Sequence, residues 1–213
     1  MTPGMTFVLG FVGFMLAWEA NAARKDPTTR QILRQLRLRH FAMGLATITF
    51  VLILAFALHG HHPVLDWGWW SAMGGQGSVA TGGIRNEERS VLPLLIPMLF
   101  VGMLVLAIPR LSQAEERTFR AGAEKRSQIR NAMMSLWFGL LHMIMGIPLS
   151  VALAIGALGG VLTWRYLVIQ RRSGSSEEAL SEATLLHVAY NFIVAFIILS
   201  LTLFLMVGYL LYE

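Results

Sequence analysis

Three polar clusters interrupt an otherwise apolar chain. Glu115, Glu116 and Arg120 stand at the end of one hydrophobic stretch, Phe138 and His142 lie within the next, and His187 and Asn191 lie near the start of the last. Glu116 and Arg120, Phe138 and His142, and His187 and Asn191 are each four residues apart, so each pair shares one helix face. Polar groups inside apolar helices are costly and need a reason. Together these residue types support hydrolysis. A carboxylate and an imidazole can hold and deprotonate a water. A second imidazole and an amide can donate to the oxyanion that forms when that water attacks a carbonyl. Arg120 lies one turn beyond Glu116 and can keep it ionised. Glu115 points about 100° away on the helix and lacks that partner, so it is the carboxylate expected to take the proton.

The elements that must position these groups read as membrane helices. Of 213 residues, 55% are hydrophobic and 14% are charged, against about 25% charged in a typical soluble domain. The apolar residues come in long blocks, which points to the bilayer as solvent. The blocks predict an all-α polytopic bundle of about six spans, at 5–20, 40–60, 91–108 (helical on through Arg120), 131–147, 149–169 and 184–212. The first and fourth are short for a span of roughly 20 residues. The first lacks the basic n-region and cleavage site of a signal peptide and is kept as a span. With no cysteine, disulfides, thiol nucleophiles and thiolate metal sites are excluded.

Fifteen of the 17 basic residues fall in segments 21–39, 110–130 and 165–172, and only Arg85 and Arg89 fall between the second and third spans. Six spans put all three basic segments on one side, which the positive-inside rule makes cytoplasmic, with both termini opposite. The net charge of +5 is read as this topology signal and not as a nucleic-acid interface. Residues 1–90 then form two N-terminal spans with a basic internal loop and an external loop. That external loop carries Trp67, Trp69 and Trp70, which suit an interfacial belt, and the glycine-rich run from Gly74 to Gly83. Residues 91–213 form a four-helix core, in which Gly156 and Gly160 offer a small-xxx-small packing pair.

The order and spacing of Glu115-Glu116-x-x-x-Arg120, Phe138-x-x-x-His142 and His187-x-x-x-Asn191 on hydrophobic helices resemble the three motifs of the CAAX-protease and bacteriocin-processing (CPBP) family. The resemblance covers about residues 91–200. Phe119-Arg120-Ala121 looks like the family's common Phe-Arg-Gly, with Ala121 in place of the glycine. The resemblance implies an intramembrane endopeptidase, with a cavity open to the cytoplasm and the membrane. In it Glu115 and His142 activate water, His187 and Asn191 form the oxyanion hole, and Glu116, Arg120 and Phe138 support the site. It implies a peptide or membrane-protein substrate, a bacterial inner membrane or equivalent, and no cofactor.

Other readings stand beside this one. Glu115, His142 and His187 could ligate zinc, giving a metal-dependent version of the same protease. His142 and His187 could serve as axial haem ligands. The glutamates and Arg120 could be a solvated helix end, and the histidines and Asn191 could be interhelical hydrogen-bonding residues. A non-catalytic immunity, scaffold or chaperone protein could use the same fold. His59, His61 and His62, at an external span end, suit adventitious metal binding. Met133, Met134, Met143 and Met145 are packing or lipid-facing residues.

Overall fold

A computed structural model of the chain describes residues 3–61, 63–73, 79 and 92–211. His62, Arg85, Arg89, Val91 and all of the glycine-rich run except Val79 lie outside the described residues. The described residues form an all-α bundle without strands. In chain order the helices are α1 (Pro3–Lys25), α2 (Pro27–Gln35), α3 (Leu38–Leu58), α4 (Trp69–Ala72), α5 (Leu92–Phe119), α6 (Gln128–Leu141), α7 (Leu149–Ser173) and α8 (Ser176–Leu211).

Five of these, α1, α3, α5, α7 and α8, are long and apolar enough to cross a membrane. Their outward faces are apolar: Phe7, Phe56 and Phe204 are each more than 70% exposed. Such a surface suits lipid and not water. The expected fourth span, 131–147, is corrected to a 14-residue helix, α6, closed by a 3-10 turn at His142–Met145. Gly146, at φ +77°, ends the turn. Fourteen residues reach only about 21 Å, yet α6 still runs between the two ends of the bundle. Its start bonds to the α5–α6 loop through Asn131 Nδ2 and the Ala123 carbonyl at 2.9 Å. Its far end meets the segment after α3, where the Trp69 indole donates to the Met143 carbonyl at 2.6 Å.

The three basic segments converge at one end. Glu182 on α8 pairs with Arg39 of α3 at 2.6 Å and with Arg165 of α7. Glu124, between α5 and α6, accepts from Tyr166 of α7 at 2.8 Å and from Ser176 of α8 at 3.2 Å. The short helix α2 lies at this end. Asp26 caps it by accepting from the Thr28 N–H at 2.9 Å, Pro27 occupies its first turn, and Ile32 is buried against Ile108 and Leu185.

Both N-terminal helices share the packing of the later ones. Leu9 and Leu16 of α1 cluster with Phe100 of α5, and Ile48 and Val51 of α3 with Leu158, Leu162, Leu186 and Tyr190 of α7 and α8. Contact between α6 and α7 is close enough to demand glycine. A Cβ on Gly139 would collide with the backbone of Ala152 and Gly156, and one on Gly159 would lie 2.9 Å from the Ser135 carbonyl. Gly160, expected to pair with Gly156, faces nothing within 4 Å. The contact stripe on α7 follows 152, 156 and 159, the i, i+4, i+7 face, which leaves 160 off it.

Of the three tryptophans expected at the membrane surface, only Trp67 is exposed, at 53%, whereas Trp70 is fully buried. Trp69 packs edge-on against Trp70 with ring centroids 5.9 Å apart.

Candidate functional site

Helix α5 presents Ser112 and Glu116 one turn apart, with Arg120 just past its end, and α8 presents His187 and Asn191 one turn apart. The two rows meet in antiparallel order. Asn191 Nδ2 donates to Ser112 Oγ at 3.1 Å, and His187 Nδ1 lies 2.9 Å from Glu116 Oε1. A carboxylate only accepts, so Nδ1 of His187 carries the proton and Nε2 faces the other way. There it meets Glu115 Oε2 at 3.5 Å. His187 therefore stands between two carboxylates of different exposure: Glu116 is fully buried, while the Glu115 side chain is 35% exposed.

Arg120 completes the buried part. Its Nη1 lies 3.4 Å from Glu116 Oε1, the pairing that the four-residue spacing predicts. Its Nη2 donates to the Gly159 carbonyl of α7 at 3.3 Å. The guanidinium carbon sits 4.2 Å from the centre of the Phe138 ring, within cation–π range. A buried guanidinium needs such partners, because an uncompensated charge in this setting costs several kcal/mol. Glu116 Oε2 and Arg120 Nε and Nη1 have no hydrogen-bond partner among the described residues.

Phe138 is the common wall. It is 1% exposed, and its ring centroid lies 4.9 Å from that of His142, 5.5 Å from His187 and 5.4 Å from Phe119, edge-on in each case. His142 folds back so that Nδ1 donates to the Phe138 carbonyl at 2.8 Å; the carbonyl is an acceptor, so the proton is on Nδ1. His142 makes no ion pair with Glu115. Because α6 stops at Leu141, His142 opens the 3-10 turn and reaches the charged cluster only through Phe138. The imidazole beside Glu115 is His187. All seven residues expected from the sequence thus gather where α5, α6 and α8 approach one another, with His187 and not His142 beside Glu115.

Two participants went unread in the sequence. Ser112, fully buried, lies four residues before Glu116 on the same face, a spacing that could have found it. The Gly159 carbonyl left no side-chain signal. Among the described residues no three His, Asp or Glu side chains converge as metal ligands. Glu115 and His187 face each other while His142 is turned onto Phe138, so the three residues of the alternative zinc reading are not drawn together.

A cavity of about 280 Å³ lies at the basic end between α2, α5 and α8, lined by Gln31, Gln35, Gln113, Arg117, Ser181 and Thr184 among others. Arg117 adjoins Glu116 in sequence, and Thr184 is one turn from His187.

No protein-family model, curated protein or solved structure matches this chain.

Proposed function

We propose that the chain is a membrane-embedded hydrolase that cleaves a peptide bond near the basic end of the bundle, the activity that its resemblance to the CPBP family implies, with His187 and not His142 working beside Glu115. The single observation that carries this is the buried relay Glu116–His187–Glu115, closed by Arg120. Glu116 fixes the ring and tautomer of His187. Glu115, the exposed member, takes a proton from water as the water oxygen attacks the carbonyl carbon of the substrate. His187, at 3.5 Å from Glu115, passes the proton to the departing amine. Asn191, one turn away, supplies an amide N–H for the oxyanion once it leaves Ser112. No metal enters this scheme. The polar cavity beside Arg117 and Thr184 gives a peptide segment an approach from the basic end, the end that the positive-inside rule would assign to the cytoplasm. The test is cleavage by purified protein in detergent or bilayer, compared with Glu115→Gln and His187→Gln. Loss of cleavage in both variants supports the scheme.

A second reading has one observation in its favour. The donor of Asn191 is already engaged by Ser112, and Glu116, Arg120 and His187 are sealed from solvent, as in a network that only holds helices together. On this reading the protein is a membrane scaffold, immunity or chaperone protein. Full rescue of a null strain by Glu115→Ala and by His187→Ala would select it.

A further inference from the structure

The relay leaves unused the segment after α3, although that segment is bonded closely to the rest of the bundle. Its described part lies along the turn that carries His142. The Trp69 indole N–H donates to the Met143 carbonyl at 2.6 Å, and the Val79 N–H donates to the Met145 carbonyl at 2.8 Å. In the other direction, the N–H groups of Leu149 and Ser150, at the start of α7, donate to the carbonyls of Trp67 at 3.0 Å and Leu65 at 2.7 Å. The last carbonyls of one helix and the first N–H groups of the next have no partner within their own helices. Here the Met145 carbonyl and the Leu149 and Ser150 N–H groups are capped by a distant stretch of chain, and the Met143 carbonyl, which already accepts from the Gly146 N–H at 2.8 Å, gains a second donor in Trp69. Pro148 at the N-cap of α7 provides no side-chain cap.

Two further contacts fix the fit. A Cβ added at Gly68 would lie 2.9 Å from the Gly146 carbonyl oxygen, and one added at Gly146 would collide with the Trp70 side chain. The strap and the turn thus touch backbone to backbone. His142 is the first residue of that turn, and its Nδ1 bond to the Phe138 carbonyl depends on where the turn begins.

We propose that Trp69 is a positioning residue for His142. Its indole anchors the strap to the carbonyl next to His142, helps hold the 3-10 turn closed, and so keeps the imidazole on Phe138 with its proton on Nδ1. The catalytic consequence rests on the hydrolytic reading above together with the part in water activation that the resemblance to the CPBP family gives His142. The structural claim stands apart from it, and the test separates the two.

The readout is the ring-nitrogen NMR spectrum of His142 in protein labelled at histidine, with the signal assigned by its loss in His142→Gln. Trp69→Phe keeps the aromatic packing and removes the donor. Gly68→Ala pushes the strap off the turn from a different atom, at a backbone angle (φ −148°) that alanine accepts. Wild type should show one neutral tautomer, protonated at Nδ1. Both variants should show a mixture of tautomers, with faster amide exchange through residues 142–146. Where wild type cleaves peptide, both variants should lose about tenfold or more in kcat with KM within about twofold, as misplacement of a catalytic group requires. An unchanged tautomer and exchange pattern in both variants overturns the positioning role. Absence of cleavage by wild type overturns the hydrolytic reading and leaves the tautomer result to decide this one.

Discussion

His187 Nδ1 stands 2.9 Å from Glu116 Oε1 while its Nε2 stands 3.5 Å from Glu115 Oε2. One imidazole thus links a sealed carboxylate to one that reaches the surface, which divides the labour between adjacent glutamates.

That division predicts opposite stability effects. Arg120→Ala leaves the buried Glu116 without its guanidinium and held only by the His187 ring, and loss of one partner of a buried pair costs about 3–5 kcal/mol. Thermal unfolding in detergent should show a large drop in Tm. Glu115→Gln alters a one-third exposed side chain and should shift Tm little in either direction. The reverse pattern would make Glu115 the structural carboxylate.

Ser112→Ala separates the catalytic account from the scaffold account. It removes the acceptor for Asn191 Nδ2, a loss of about 1 kcal/mol for one hydrogen bond. If Asn191 serves the oxyanion, cleavage should persist or rise, because the amide no longer has to leave Ser112. Asn191→Ala should abolish it. Equal loss in both variants would show that the Ser112 bond itself is what the site needs.

Gly139→Ala should destabilise the bundle by about 1–3 kcal/mol, as overpacking does, because its Cβ would strike the α7 backbone at Ala152 and Gly156. Gly160→Ala, facing open space, should be silent. Tm of the two variants side by side checks this. A silent Gly139→Ala would mean that α6 does not sit on α7 as described.

Much of this bundle was legible because its signals are local. The long apolar runs gave the helices, and the four-residue spacing gave the Glu116–Arg120 pair. The start of α8 was legible too, but unread. Ser175 Oγ accepts from the Glu178 N–H at 3.2 Å, the helix-start signature of Ser followed three residues later by Glu. The helix therefore begins at Ser176, and the apolar run expected from 184 sets in only two turns later. His187 accordingly sits three turns into α8. That His187 and not His142 stands beside Glu115 was not legible. It depends on α6 ending at Leu141, and that end is fixed by Trp69 and Val79 from a segment more than 60 residues away. Spacing within one helix carries no information about such a clamp.

Chelation gives a further check. Because the relay uses only side chains of this chain, purified protein should retain its cleavage rate after exhaustive removal of metal. Activity lost on chelation and restored by zinc would overturn the metal-free scheme.

The most direct measurement compares the membrane-associated peptides of cells expressing the wild-type protein with those of cells expressing Glu115→Gln at equal abundance. The comparison itself reveals the substrate. The relay predicts one or a few precursors that accumulate intact with Glu115→Gln and whose fragments appear only with wild type, the variant rate falling by about 10²–10⁴-fold as for loss of a general base. Identical peptide populations, together with full rescue of a null strain by the variant, would contradict it.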